Sequence, residues 1–334
     1  MDVLSDVLRV VRLTGAVYFD MDVGTPFVGE SPGTAEIAAA VMPGAEHVIS
    51  FHAVISGSCW AVLGDGAMPP VQVSAGDIVV FPDGAANVLS SRPGLRGEPN
   101  MATYYRPVDE NLPFAVVHGG IGDERTRFIC GYFGCDARPF NPLLSALPRM
   151  ICARKPDDGS RWVTDLFRIA IAEGANRRAG SETVLAKLSE LMFVEVIRNH
   201  LMSLPDDARG WLSGLRDAHI GEALRLIHAR PKEEWTLDRL ARGVGMSRTA
   251  FASRFIHYVG IPPMQYLVRW RLQLAAHLLE RPDVSLAQAA AEFGYESESA
   301  FNRAFKKYVG VPPGAWRKGQ SGFLAHRSAD DTKP

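Results

Sequence analysis

The C-terminal third of the chain states one pattern twice. Thr236–Pro263 and Ser285–Pro313 match at Leu, Ala, Gly, Ser, Ala-Phe, Phe, Tyr-Val-Gly and Pro-Pro. The offset is 49 residues up to Tyr295 and 50 from Ser297 onward, so Glu296 is a single insertion. Such a repeat demands two copies of one supersecondary unit. Each copy reads as two short helices about a turn. Thr236 and Ser285 are side-chain N-caps. Leu237, Leu240, Ala241 and Val244 recur at helical spacing as one apolar face. Gly245 and Gly294 stand where the first helix must stop in left-handed backbone. Ser247 and Ser297 cap a second helix. In it Phe251, Phe255 and Tyr258, and in the second copy Phe301, Phe305 and Tyr308, point inward at i, i+4, i+7. Gly260 and Gly310 end that helix, and the Pro-Pro pair forbids continuation before opening the next one. Each copy is a helix-turn-helix whose second helix is free to lie in a major groove.

Between the copies, Met264–Glu280 holds no Gly or Pro and is apolar at Leu267, Trp270, Leu274 and Leu278. Its 17 residues would rise about 25 Å as a helix. Such a rod can hold two recognition helices near one duplex turn, about 34 Å, apart.

The net charge of −1 hides an asymmetry. Residues 212–320 carry 16 Lys and Arg against 10 Asp and Glu, whereas residues 1–211 carry 18 against 25. A basic module joined to an acidic one suits a nucleic-acid-binding part and a part that does something else. The four cysteines are too scattered for a disulfide scaffold. The N-terminus lacks a basic n-region, and no run of about 18 apolar residues exists, so neither a signal peptide nor a membrane span is expected. The expectation is a cytoplasmic protein with no membrane partner.

At this point the residues resemble a known family. The Arg271-Leu-x-x-Ala-x-x-Leu-Leu279 stretch, the Ala290-x-x-x-Gly-Tyr-x-Ser297 core, the Phe301-x-Arg-x-Phe305 helix and the Gly310-x-Pro-Pro313 turn are similar to the DNA-binding domain of AraC/XylS-type transcription regulators. The resemblance runs from about Leu215 to Lys318. It implies two helix-turn-helix units on one long helix, double-stranded DNA as partner and RNA polymerase as a further one.

From Gly15 to Cys135 the chain reads as short strands between Gly/Pro turns: His47–Gly57, Ser58–Leu63, Val71–Val73, Asp77–Phe81 and Asn87–Ser90. Even spacing argues for a β-sandwich or barrel. Gly76-x5-Pro82-x-Gly84-x2-Asn87 has the spacing of the second cupin motif. Phe51-His-x-Val-x-x-Gly57 and Asn141-Pro-Leu-Leu-x-x-Leu-Pro148 are similar to the cupin found before AraC-type DNA-binding domains. This resemblance implies a sensor of a small molecule or a chemical stress, with an unidentified effector.

The departure from the cupin pattern matters. Metal-binding cupins carry a histidine ligand where this chain has Asn87. His47 and His52 are an odd number apart, on opposite faces of one strand. A metal-dependent enzyme is therefore disfavoured, and neither metal nor cofactor is expected. His52 reads first as a hydrogen-bonded strand histidine. His52, Asn87, Cys130 and Cys135 remain the candidate sensor residues. The two thiols also fall on opposite faces unless Gly131 or Gly134 breaks the strand. They read as buried small hydrophobes ahead of a redox switch, and a switch ahead of a metal shared with His118.

Two helices are expected over Trp162–Glu173 and Glu182–Leu201, and a linker over Ser203–Gly210. By resemblance such a hairpin makes a homodimer. Packing on the cupin is an equally good account. The predicted fold is a multidomain α+β chain. A cupin-like β-barrel with helices occupies 1–155, a helical hairpin 156–205, an all-α double helix-turn-helix domain 212–320, and a disordered tail 321–334.

Helical geometry nominates the DNA-facing side chains: Arg248, Thr249, Ala252 and Ser253 in the first copy, Glu298, Ser299, Asn302, Arg303 and Lys306 in the second. Arg303 can pair with guanine and Asn302 with adenine. The first copy offers small side chains, so the second motif is expected to carry more base specificity. Arg254, aligned with Ala304, reads as structural or phosphate-facing. The expected function is a sequence-specific transcription regulator. A cupin enzyme with an attached DNA module and an unspecific architectural binder are the alternatives.

Overall fold

The computed structural model describes residues 2–105, 112–118, 122–155, 165–166, 169–170, 172–173 and 178–318. The chain forms two compact units. One comprises Leu13–Cys135 and Leu147–Ser203, the other Met1–Arg12, Asp136–Ala146 and Leu204–Pro334. The sequence reading runs its first domain unbroken from 1 to 155, whereas the compact units interleave along the chain.

The first unit is built on two sheets. The larger is six-stranded in the order β10-β6-β3-β9-β1-β8, from β1 (Thr14–Gly24), β3 (His47–Ser56), β6 (Ile78–Phe81), β8 (Phe114–His118), β9 (Arg125–Cys135) and β10 (Ile151–Ala153). The smaller is β2-β7-β4-β5, from β2 (Val28–Ser31), β4 (Ser58–Leu63), β5 (Val71–Ser74) and β7 (Asn87–Ser90). Helix α2 (Thr34–Val41) lies between β2 and β3 in the chain. Side chains of both sheets, among them Phe19, Phe81 and Phe128 from one and Ala61, Val73 and Leu89 from the other, share one apolar core. The central strands are buried on nearly every residue, because the larger sheet is also covered on its outer face. There α3 (Ser181–Ser203) buries Leu185, Met192, Phe193, Val196 and Ile197, and Phe193 meets Phe133 at 4.8 Å between ring centres. This cover realises the cupin-packing account of the second hairpin helix. The first, over 162–173, falls largely outside the described residues, as does the expected tail.

β9 runs unbroken through Gly131 and Gly134 in continuous register with β3. Neither glycine breaks the strand. Gly131 is needed because a Cβ there would lie 2.2 Å from the Ala16 carbonyl and 2.5 Å from the Phe51 ring.

The second unit is helical. Helix α1 (Val3–Val10) and the segment 136–146 join α4 (Trp211–Arg216), α5 (Ala218–Ala229), α6 (Leu237–Gly243), α7 (Arg248–Val259), α8 (Pro263–Leu278), α9 (Leu286–Glu292) and α10 (Glu298–Val309). Residues 3–10 are helical although no helix is expected there from the sequence. Arg12 closes α1 onto this unit: its Nε and Nη2 each lie 2.7 Å from an Asp136 carboxylate oxygen, and its Nη1 lies 2.7 Å from Glu280. Phe140 donates its backbone N–H to Gln273 Oε1 at 2.8 Å and stands edge-on to Tyr266.

Candidate nucleic-acid interface and internal cavity

Every helix end named from the repeat forms as the local chemistry dictates. Thr236 Oγ1 accepts from Arg239 N, and Ser285 completes a reciprocal capping box with Gln288. Ser247 and Ser297 accept from Ala250 N and Ala300 N. Gly245, Gly294, Gly260 and Gly310 have φ of 70°, 76°, 79° and 88°, left-handed values that favour glycine. Phe251, Phe255, Phe301 and Phe305 are fully buried, while Tyr258 and Tyr308 are half-buried.

The long helix α8 packs on both flanks rather than along one stripe. Leu267 and Trp270 are buried as expected, but Leu274 and Leu278 are only half-buried. Leu272, Ala275 and Ala276, with Leu279 just past its end, take the inner places against Phe301, Phe305 and Trp316. A rod between two bundles needs two apolar faces, and alanines allow close approach on the second.

On the recognition helices α7 and α10, Arg248, Thr249, Ser253, Glu298, Ser299, Arg303 and Lys306 are exposed, and Ala252 and Asn302 half-buried. The electrostatics are uneven. Arg248 lies 3.5 Å from Asp238. Arg254 Nε donates to Asp217 at 3.0 Å, and that carboxylate also caps α5 through His219 N and Ile220 N. Arg254 is thus structural, the first of its two sequence readings. Arg230 and Arg239 lie over the Trp235 ring at 5.1 and 5.3 Å. Arg271 donates to the carbonyls of Pro231 and Glu233, and Arg317 to those of Leu279 and Val284. Much of the basic excess therefore holds the fold. Among the described residues Arg303, Lys306 and Lys307 of α10 stand in no ion pair. Counting charges in the sequence could not separate these roles.

Between the sheets of the first unit lies a cavity of about 460 Å³. Phe19, Leu89, Phe128 and Tyr132 give it buried apolar walls, while Pro26, Gly29, Glu98 and Asn100 form an exposed rim. His52 and Cys130 are on its wall. They are direct cross-strand partners of β3 and β9, which puts both on one face. His52 Nδ1 lies 2.8 Å from Cys130 Sγ, and its Nε2 lies 3.0 Å from Asn87 Oδ1. Asn87 Nδ2 donates to Ser50 Oγ at 3.2 Å and to the Ala85 carbonyl at 3.3 Å. Burial pulls the His52 pKa down to about 4, against the raising effect of its Asn87 contact, and pushes the Cys130 thiol well up. The unbroken strand puts Cys135 opposite His47 and on the other face from Cys130. None of the four cysteines is in a disulfide. His47 Nε2 instead lies 2.7 Å from the Pro82 carbonyl. The sequence-predicted sensor residues therefore divide: His52, Asn87 and Cys130 meet, and Cys135 does not join them. The His118 side chain lies outside the described residues, and among those described no group of three His, Cys, Asp or Glu is placed to hold a metal.

Residues 2–202 match the family model described as cupin, and residues 240–319 match that described as helix-turn-helix domain. An AraC-like transcription regulator of Streptomyces lividans is 36% identical over 289 residues, 84% of this chain and 90% of that protein. The chain belongs to the AraC-like transcription regulators with an N-terminal cupin domain. The HTH-type transcriptional regulator AlkR of Acinetobacter baylyi is 30% identical over 279 residues, 82% of this chain and 89% of that protein. Among solved structures the regulator is similar to the DNA-binding domain of AdpA in complex with a target DNA. That match has 28% identity over 35% of this chain and 99% of that one, with a TM-score of 0.30. The regulator is a DNA-binding protein of two helix-turn-helix motifs, and its partner is double-stranded DNA. No described helix is long and apolar enough to cross a membrane.

Proposed function

We propose that the regulator reads DNA with unequal halves under control of a small molecule in the cupin cavity. The observation that carries the reading is the charge distribution on the recognition helices. Arg303, Lys306 and Lys307 have no ion-pair partner among the described residues, whereas in the first motif Arg248 lies 3.5 Å from Asp238 at the surface and Arg254 is bonded to the Asp217 carboxylate. Helix α10 then supplies base contacts through Asn302 and Arg303 and phosphate contacts through its lysines, and α7 mainly positions. The 16 residues of α8 rise about 24 Å, a length that suits motifs entering successive major grooves. Selection of bound duplexes from a random pool tests this. A two-box consensus about one turn apart, more sharply defined under the second motif, is the expected result. A single box, or no consensus, refutes it.

Effector control requires two states with different ligand affinity. Chain continuity supports a link. Strands β1 and β9, which line the cavity with Phe19, Phe128 and Tyr132, continue directly into the segments 1–12 and 136–146 of the helical unit. In this reading the regulator is no enzyme: Asn87 stands at the cupin ligand position and spends its amide on His52 and Ala85. It acts in the cytoplasm and engages RNA polymerase. Val184, Leu188 and Leu191 lie off the core face of α3, with Val184 and Leu191 exposed, and would form the seam of a homodimer. Sedimentation of wild type against Leu191→Glu tests that assembly: a dimer that becomes monomeric is expected, and an unchanged species refutes it.

A further inference from the structure

The wall of the cavity holds the Cys130 thiol and the His52 imidazole, the Asn87 amide contacts the imidazole's other nitrogen, and their hydrogen bonds fix the protons. The Ala85 carbonyl can only accept, so the Asn87 atom against it at 3.3 Å is the amide nitrogen. Its oxygen therefore faces His52, and His52 Nε2, 3.0 Å away, must carry the hydrogen. Nδ1 is left with its lone pair aimed at Cys130 Sγ at 2.8 Å. A base is thus held in one tautomer against a nucleophile and oriented by a third group. Thiol and imidazole are both neutral at rest, since burial disfavours the thiolate and the imidazolium alike. Among the described residues Cys59 and Cys152 have no imidazole against them.

We propose that Cys130 is a reactive thiol that captures small apolar electrophiles of the α,β-unsaturated carbonyl class, with His52 as its general base and Asn87 as the positioning residue. This rests on the cavity being the sensor site. The apolar walls select the ligand's carbon skeleton, and the phenols of Tyr104 and Tyr132 on the same cavity offer donors for its carbonyl oxygen. In the step, the Sγ–Cβ bond forms as the Cα=Cβ π bond opens. The thiol proton passes to His52 Nδ1 and from there to the α-carbon of the enolate. The product is a neutral thioether with His52 restored, and no oxidant or reductant is consumed. A switch of this kind would respond to the chemical reactivity of the effector as well as its shape.

The test treats the full-length protein with 2-cyclohexen-1-one and follows adducts by intact mass and peptide mapping. The expected result is one adduct per chain, on Cys130, formed at least about tenfold faster than on Cys59 or Cys152, as general-base assistance of about 10²-fold or more allows. The base also sets a pH signature. With His52 in place the rate should be flat from pH 6 to 8. In His52→Gln, folded by circular dichroism, it should fall and rise about tenfold per pH unit, tracking the thiolate. Asn87→Ala should lower the rate while keeping a flatter profile than His52→Gln. A wild-type Cys130 that labels only in denaturant, or whose rate already climbs tenfold per pH unit, overturns the proposal without any variant being made. The sensor reading is scored separately, by the affinity of the labelled protein for its selected duplex. Labelling with unchanged DNA affinity leaves the thiol chemistry standing and sinks the sensor. Absence of labelling sinks the thiol chemistry alone.

Discussion

Lowering the pH from 7 to 5 should weaken the helical unit by about 2 kcal/mol through one side chain, His228. This imidazole is buried, with Nε2 2.8 Å from Tyr266 Oη. The same hydroxyl accepts the Trp211 indole N–H at 2.9 Å, and the His228 ring lies 4.2 Å from that of Trp270. Burial pulls the folded-state pKa from the ordinary 6.5 to about 3. The unfolded chain therefore takes up a proton near 6.5 and the folded chain only near 3. The stabilising effect is fully present above 6.5 and is lost as the pH falls toward 3, at about 1.4 kcal/mol per unit in between. From pH 7 to 5 this integrates to about 2 kcal/mol. With a slope of about 2 kcal/mol per molar urea, the unfolding midpoint should drop by about 1 M from this source. Tryptophan fluorescence reports the right unit, because Trp211, Trp235, Trp270 and Trp316, four of the six tryptophans, lie in it. His228→Gln cannot titrate and should remove about that much of the pH-induced midpoint shift. An identical shift in His228→Gln and wild type would refute the assignment, since all other titrating groups are common to both.

Phe305 is fully buried against Phe301 and Trp316. Phe305→Ala should cost about 3–5 kcal/mol, read by urea unfolding of the full chain, with DNA affinity falling as the second motif loosens. Arg303→Ala should reduce discrimination at one base pair by about 1–3 kcal/mol. Lys306→Ala should weaken all sequences alike and lower the salt dependence of binding; equal loss of selectivity in both would sink the division of roles. Asp217→Ala removes the α5 cap and should cost about 1–2 kcal/mol. Arg254→Ala, which removes a half-exposed cation and leaves Asp217 its two backbone N–H bonds, should cost under about 1 kcal/mol, and the reverse order in urea midpoints would contradict the reading.

The sequence alone determined what is local. A helix begins where Thr236, Ser247, Ser285 or Ser297 can accept a backbone N–H, and stops where Gly245, Gly260, Gly294 or Gly310 can turn left-handed. Those conditions involve neighbours within four residues, so the repeat could be read without tertiary knowledge. Phe251, Phe255, Phe301 and Phe305 followed from helical period for the same reason. The odd spacing of His47 from His52, and of Cys130 from Cys135, was likewise sound, because alternation along a strand is a local rule.

What only the tertiary structure decided is what meets across distance. His52 and Cys130, 78 residues apart, face one another because β3 and β9 pair in one register, and a shift of a single residue would turn the two away. Asn87 reaches them from the other sheet. The docking of residues 3–10 and 136–146 on the helical unit joins buried Val3, Leu4 and Val7 with the bonds of Arg12 to Asp136 and Glu280. Which arginines are engaged within the fold was decided by partners such as Asp217 and Trp235. Long-range pairing depends on the summed burial of the whole core, and no window of sequence contains that sum.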